Sequence, residues 1–538
     1  MRVVVDLTRC QGYAQCAFLA PDVFRMSGDE ALMYDPEPAD SQRERVQRAA
    51  AACPVQALRV DHMDLPRAHQ TTTNAANIVI VGGSLAGLRA AAELRAEGFT
   101  GSLTIIEDEP YEPYDRPPLS KHVLGGWPAP DHTDLPDTHE VGADWRLGVA
   151  ATGLDLAGKR VLLGDGAGDC DRHGDGHGDG DSVPFDRLLI ATGVRARRWP
   201  DPAEAALDGV LTLRTRDDAT KLRERLAAGP NRVLVIGAGF TGSEVASMCC
   251  ELGIPVTVAE AGPAPLVGAL GAVIGEVAAE LQRSHGVDLH TEVLVTRLEG
   301  DEHGRLRRAY LSDGTSLDVD VAVAALGGLR NVEWLHDSGL AVGEWGVACD
   351  AGCRAFDVNG VVTDDVFVAG DVARVPHALF GYEFLALEHW HNAVEQAAVA
   401  AHNMISGQAE RWPYLTMPEF WSTQFGVNIK SVGVPTLADE VAITQGSVPD
   451  RRFAAVYGYK GRITGAVAFD QAHWLEFYER LIERAAPFPP TFHHLDEPAF
   501  GAPMPAQVPT RASTVHEATV MVTGHEPSRR RARIVRSP

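Results

Sequence analysis

Three cysteines, Cys10, Cys16 and Cys53, fall within the first 63 residues. Two share the loop Cys10-Gln11-Gly12-Tyr13-Ala14-Gln15-Cys16, and the third heads a remote Cys53-Pro54. Thiolates converging on one site from separate segments are what an iron–sulfur cluster requires. A four-iron set with C-x2-C-x2-C spacing would place another cysteine between the first two, where this chain has Tyr13. Three thiolates are left, and a cluster with one iron missing, 3Fe-4S, follows. Two other readings stay open: three buried structural cysteines, or a zinc site lacking its fourth ligand.

Two glycine turns carry a second chemistry. The run Ile78-Val79-Ile80-Val81 leads into Gly82-Gly83-Ser84-Leu85-Ala86-Gly87, then a helix-period segment from Leu88 to Glu97 and a strand at Leu103–Ile106 ending in Glu107-Asp108-Glu109. This order is a dinucleotide-binding βαβ unit. Gly82 makes the tight turn and Gly87 lets helix and strand approach, while Ser84 stands where a second glycine is usual. A pyrophosphate would sit at the helix start, facing free N–H groups. Glu107 and Asp108 are placed to meet a ribose hydroxyl pair.

The pattern recurs at Val233-Leu234-Val235-Ile236, followed by the complete Gly237-Ala238-Gly239-Phe240-Thr241-Gly242, a helix through Ser243-Glu244-Val245-Ala246, and a strand Val256–Ala259 ending at Glu260. Two separate nucleotide sites in one chain are the signature of a flavoprotein that takes hydride from a nicotinamide. Glu260 would bond the adenosine ribose and repel a 2′-phosphate, so NADH is expected over NADPH. Further buried strands are read at Leu188–Ile190, before Ala191-Thr192-Gly193, at Val321–Leu326, before Gly327-Gly328, and at Val366–Ala369, before Gly370-Asp371.

Composition bounds the answer. The chain has 538 residues, a net charge of −25 and eight scattered cysteines. Three or four domains, a reducing cytoplasm and no nucleic-acid partner are expected. No apolar run is long enough to cross a membrane, and the N-terminus lacks a signal-peptide core. A monomer is expected. Residues 164–182, with Cys170, His173 and His177, are low-complexity and read as a solvated loop, a metal site being the alternative. Cys249 and Cys250 read as helix packing residues.

At Cys10, Cys16, Cys53 and Pro54, supported by Ala20-Pro21-Asp22-Val23-Phe24, the first 63 residues resemble small bacterial ferredoxins of the 3Fe-4S type. From Asn77 to about Pro490 the chain resembles FAD-dependent, NADH-oxidising ferredoxin reductases that serve bacterial oxygenases, the putidaredoxin reductase-like group of the glutathione-reductase fold. Pro113-Tyr114-Asp115-Arg116-Pro117-Pro118-Leu119-Ser120-Lys121 and the Phe420-Trp421-Ser422 start of a third domain carry that likeness. Disulfide reductases of this fold hold a cysteine pair before the Ser-Lys. Here there is none, so electrons must leave the flavin directly.

The resemblance implies that Lys121 lies beside the flavin ring, where its charge favours the reduced form. It places Glu244 near nicotinamide and flavin, paired with Lys121. It makes Arg195 a flavin phosphate or ribose contact and Ala151 a backbone contact to adenine. It has Asp371, after Gly370, bond the ribityl chain, and it lays the helix start at Glu388-His389-Trp390 against the pyrimidine edge. Ala386 replaces a common arginine there. His389 and His391 read as structural, and Trp421 stands either at the flavin's outer face or in the core.

The expected fold is an α+β ferredoxin domain followed by an α/β flavoprotein with two dinucleotide-binding domains and a C-terminal α+β domain. The expected boundaries are 1–63 for the ferredoxin, 64–76 for a linker, 77–199 with 331–412 for FAD, 200–330 for NAD, 413–490 for the C-terminal domain and 491–538 for a disordered tail. Its arginine-rich end offers a weak partner contact. Electrons would run from NADH through FAD to the tethered 3Fe-4S cluster and on to an oxygenase, a haem-thiolate cytochrome monooxygenase by analogy. A ring-hydroxylating oxygenase or quinone as acceptor, or a redox sensor, are the alternatives. Glu260→Ala is expected to weaken NADH use by about 10- to 150-fold, the equivalent of roughly 1.5–3 kcal/mol for a charged hydrogen bond. Ala261→Arg is expected to improve NADPH use. Steady-state kinetics with both nucleotides checks this, and a wild type that prefers NADPH would refute the assignment of Glu260.

Overall fold

In the computed structural model, the described residues are 1–61 except 29, 54 and 56; 75–491 except 137 and 165–180; 503–508; and the backbone of 518–523 and 531–536. Pro54, most of the expected linker, and Cys170, His173 and His177 lie outside them.

The cysteine-bearing segment is built from short pieces. Val3–Val5 pairs antiparallel with Leu58–Val60, and Phe24–Ser27 pairs with Ala31–Tyr34. Helix Arg43–Ala52 presents Val46 and Ala49 to a core that also takes Val3, Val5, Phe24, Leu32 and Tyr34. So small a core buries little apolar area, and a metal cluster is one way such a unit reaches stability.

Two larger sheets carry the glycine turns. The first has six strands in the order Arg354–Phe356, Val362–Val368, Arg187–Ile190, Asn77–Val81, Ser102–Glu107, Asp144–Leu147. All its pairs are parallel except the one at Arg354–Phe356. Helices Leu85–Ala96 and Trp390–Ile405 cover it. The second sheet has five parallel strands: Val210–Leu211, Val321–Ala324, Val233–Ile236, Val256–Glu260 and Asp288–Thr291. Unbroken apolar runs such as Val233-Leu234-Val235-Ile236, buried on both faces, are what a parallel sheet between helices demands. The chain enters the first sheet, leaves for the second, and returns to the first at Arg354–Phe356 and Val362–Val368.

The third sheet is antiparallel, with Glu419–Gln424, Val427–Gly433, Arg462–Phe469, Arg452–Tyr459 and Glu440–Ser447 in spatial order. Glu419–Gln424 alternates buried and half-buried residues, as a strand at a sheet edge does. Helix Leu475–Glu483 closes the other face through Leu475, Tyr478 and Ile482.

The tail departs from expectation. Met504–Pro505 pairs with Glu440–Ser447 as a sixth strand, and Ala518–Thr523 pairs antiparallel with Arg531–Arg536. The β-branched residues in Thr519-Val520-Met521-Val522 and Ile534-Val535 favour such pairing, which the arginine-rich composition obscured.

The cysteine-bearing unit seats the hairpin Phe24–Ser27/Ala31–Tyr34 on the third sheet. Gly28, at φ +69°, lies so close that an added Cβ would stand 1.8 Å from the Gly426 carbonyl oxygen. Gly28→Ala therefore adds a steric clash to a left-handed backbone cost of about 1–2 kcal/mol. Hydrogen exchange is expected to quicken over residues 24–34 and 419–433 in this variant and to stay unchanged over 233–260. Unchanged exchange at the first two segments would show that this contact does not hold the unit in place.

Candidate functional site

Both glycine turns are built alike. Gly82 leaves its strand at φ +106° and Gly237 at φ +99°, conformations open to glycine. A Cβ at Gly87 would lie 2.0 Å from the Gly82 oxygen, and one at Gly242 would lie 2.0 Å from the Gly237 oxygen. Each third glycine thus lets its helix close on its strand. In each unit the acid ending the second strand accepts from the N–H just after the first glycine: Glu107 from Gly83 at 2.5 Å, Glu260 from Ala238 at 2.6 Å. Glu260 also accepts from Gly262 at 2.6 Å. Burial first, and neighbouring Asp108 second, push the Glu107 carboxyl up to about 8. Asp108 itself is exposed. A Cβ at Gly239 would meet nothing within 4 Å, so the second turn opens onto free space wide enough for a phosphate to approach the backbone.

The remaining residues of the first site gather around its helix start. Arg116 donates through Nε to Ser84 Oγ at 3.3 Å and through Nη2 to Glu109 at 2.7 Å. Val149 donates to the Glu107 backbone oxygen at 2.9 Å, which brings the backbone leading to Ala151 beside that acid. Gly370, at φ +78°, approaches Ala86, since a Cβ there would stand 3.1 Å from the Ala86 Cβ. Asp371 pairs with Arg214 at 3.0 Å, and Glu388 with Arg330 at 2.8 Å. Arg195 stands apart from this group: its guanidinium is taken by Glu333 at 2.6 Å and by Asn331 at 2.9 Å. Gly327 turns at φ +86° just before Gly328, in the strand paired with Val194–Ala196.

Between the two turns lies a charged cluster. Lys121 Nζ is 2.9 Å from Glu244 Oε2. Ser120 donates to the same oxygen at 2.5 Å, and Ser422, from the third sheet, donates to Oε1 at 2.6 Å. Phe240 packs on Phe420 with ring centroids 4.8 Å apart, and Trp390 meets Trp421 edge-on at 6.2 Å. Trp421 Nε1 and His389 Nδ1 are buried without a protein partner. Burial pushes the His389 imidazole down to about 4, so it stays neutral and is a poor proton shuttle.

Cys10, Cys16 and Cys53 share one small core, each with the same slight exposure. Burial, then the charge of Cys10, pushes the Cys16 thiol up to about 11. Burial also raises Cys10, and Lys430 opposes it. Thiols so placed stay protonated until a cation claims them. The Ala57 N–H already points at Cys53 Sγ from 3.3 Å, as amides around a cluster do. Among the described residues no group of three His, Cys, Asp or Glu side chains closes around a single metal ion.

Sequence reasoning missed the seam between the cysteine unit and this site. Asp115 is fully buried there: Tyr34 donates to one of its oxygens and Trp390 Nε1 to the other, both at 3.0 Å. Lys430, 3% exposed, donates to the backbone oxygens of Thr8 and Cys10. Tyr34, Asp115, Lys121, His122 and Glu244 line a pocket at this seam. Lys430 gave little signal, because its strand Val427–Gly433 also holds Asn428 and Ser431 and its burial shows only in the fold. Tyr34 gave none.

Comparison with known proteins places the chain. Residues 76–397 match the family described as pyridine nucleotide-disulphide oxidoreductase, residues 3–60 the 4Fe-4S single cluster domain, and residues 419–500 the reductase C-terminal family. Rhodocoxin reductase of Rhodococcus erythropolis is 32% identical over 70% of this chain and 82% of its own length. The ferredoxin–NAD(+) reductase component of the biphenyl dioxygenase system of Paraburkholderia xenovorans (strain LB400) is 31% identical, over 75% and 92%. The covalent putidaredoxin reductase–putidaredoxin complex superposes with a TM-score of 0.69 at 27% identity, covering 77% of this chain and 94% of that one. The chain belongs to the pyridine nucleotide-disulphide oxidoreductase family. It is an oxidoreductase that uses FAD and NAD(H), with an iron–sulfur cluster in its N-terminal unit.

The buried carboxyl at the seam has a measurable signature. Burial raises Asp115 from 3.8 to about 6, against the opposing hydrogen bonds from Tyr34 and Trp390. The folded protein thus holds this proton more tightly than the unfolded chain. The resulting stabilisation is full below pH 4, is lost as pH rises from 4 to 6, and changes no further above that. The displacement corresponds to roughly 3 kcal/mol. Asn cannot titrate, so the wild type's thermal midpoint should fall relative to that of Asp115→Asn between pH 4 and pH 7. A constant gap would contradict the buried-carboxyl account.

Proposed function

We propose that this chain is an NADH-dependent ferredoxin reductase that carries its own ferredoxin, a 3Fe-4S unit, and delivers electrons to an oxygenase, a haem-thiolate cytochrome monooxygenase. The observation that carries this reading is the seating of the three-cysteine unit on the face formed by Lys121, Glu244, Trp390 and Trp421. When bound, FAD would take one hydride, and so two electrons, from NADH and yield them singly to a cluster that accepts one at a time.

The chain's own residues divide the work. The turn Gly82–Gly87 and Arg116 would hold the flavin pyrophosphate, with Glu107 and Asp108 toward its ribose, Ala151 toward adenine, and Asp371 toward the ribityl chain. Arg195 would reach a phosphate only by exchanging its present Glu333 partner. Gly237, Gly239, Phe240, Thr241, Gly242 and Glu260 would hold NADH, with Gly327 at the mouth. Lys121 would stabilise negative charge on the reduced ring, and Glu244 would fix that ammonium in place while Ser120 and Ser422 fix Glu244. Trp390 and Trp421 would wall the ring and keep water from it.

Electron entry and exit are supported by opposite sides of the cysteine loop. At Cys10 the loop meets the third sheet, where Lys430 donates to its backbone oxygen. Cys16 sits in sequence between Tyr13 and Phe18, two rings that are 58% and 85% exposed, a surface an outside acceptor could meet. The absence of a cysteine at Tyr13 supports three irons rather than four. Relatives from dioxygenase systems make a ring-hydroxylating oxygenase the second reading of the acceptor.

The test is a chain that starts at Asn74. The family matches at residues 76–397 and 419–500 begin after the cysteine unit, so the shortened protein should fold with both nucleotide sites. It should reduce ferricyanide with NADH as the intact chain does and lose most reduction of cytochrome c. Residues 1–63 added back at micromolar concentration should restore only part, because tethering supplies an effective concentration on the order of millimolar. Undiminished cytochrome c reduction by the shortened chain would put the cluster off the electron path.

A further inference from the structure

We propose that Lys430, a residue of the reductase sheet, sets the reduction potential of the cluster held by Cys10, Cys16 and Cys53 and makes the seating of the cysteine unit tighter when that cluster is reduced. The proposal rests on the electron-transfer reading above and deepens it.

The geometry is specific. Lys430 sits in strand Val427–Gly433, 3% exposed, and its ammonium donates to the Thr8 oxygen at 3.3 Å and to the Cys10 oxygen. Both acceptors belong to the cysteine loop, more than 400 positions away in the chain. Directly across the strand pair is Trp421, so the two side chains share one face of the sheet. Trp390, Trp421, Lys430 and Cys10 thus form a continuous series from the flavin face to the first cluster ligand.

Charge explains why a lysine belongs there. Asp6, Glu30 and Glu419 face the same ammonium. Without it, these carboxylates would stand opposite a cluster held by three thiolates, and an added electron would enter an already negative region. Reduction adds one electron and one negative charge to the iron–sulfur unit, with no proton required. A buried cation beside that charge acts through a low effective dielectric and favours the reduced form. The coupling is reciprocal. If seating Lys430 against Cys10 favours reduction, reduction favours seating by the same factor. The reduced cluster is then held at the flavin face until its electron leaves for the outer acceptor, and release of the electron loosens it.

The experiment is a potentiometric titration of the full chain followed by electron paramagnetic resonance, with Lys430→Gln and Lys430→Arg alongside. Gln keeps a donor without the charge, and Arg keeps the charge. Lys430→Gln should lower the cluster midpoint by the equivalent of a tenfold change in the reduction equilibrium, about 59 mV for one electron. Lys430→Arg should stay near wild type. Equal midpoints in wild type and Lys430→Gln, with the cluster loaded in both, would overturn the proposal. A second measurement needs no variant: backbone amides of residues 5–12 and 427–433 should exchange more slowly in the reduced than in the oxidised wild type, and equal exchange would also overturn it. A wild type that holds no iron–sulfur cluster would defeat the electron-transfer reading itself, an outcome separable from either of these.

Discussion

A buried carboxyl joins the cysteine unit to the first of the larger sheets. Asp115 takes one hydrogen bond from Tyr34, in the cysteine unit, and one from Trp390, at the start of the helix that covers the first sheet. An unpaired acid so deep would cost several kcal/mol, so both donors must be present for the seam to close. Everything that makes the molecule more than a reductase follows from that seam. It holds Leu7, Leu32 and Tyr34 of the cysteine unit on the face where Lys121 and Glu244 meet, and it brings Lys430 against the backbone of Thr8 and Cys10.

The rest of the structure serves to present that face. Two parallel sheets, each with a glycine turn, aim their helix starts from either side, and in both an acid stays fixed beneath the turn by the backbone itself. The antiparallel sheet supplies the third wall through Ser422, Trp421 and Lys430. Side chains from a turn after the first glycine unit, from the helix of the second and from the third sheet thus meet in one place, which is why no isolated segment of the sequence looks like an active site.

What the sequence revealed follows from how local each signal is. Glycine turns between apolar runs are local, so both βαβ units and the acids Glu107 and Glu260 were legible. The three cysteines were legible because thiols are rare and their spacing is informative. The Lys121–Glu244 pair came through resemblance, since 123 positions of chain separate the two residues. Contacts between surfaces that meet only in the folded chain left no such trace: nothing near Tyr34 marks it as a partner of Asp115, and nothing near Arg195 marks its capture by Glu333. The tail was misread for a different reason, because arginine-rich composition outweighed two short alternating runs that pair as strands.

Electrons passing from flavin to cluster within one molecule would cross the seam that Asp115 closes. Anaerobic stopped-flow mixing with a single equivalent of NADH tests it directly, following flavin absorbance and cluster signal over a wide range of protein concentration. Transfer within one molecule gives a second phase, flavin to cluster, whose rate is the same at every concentration. A rate that rises in proportion to protein concentration would mean that the electron passes between molecules and not across the seam.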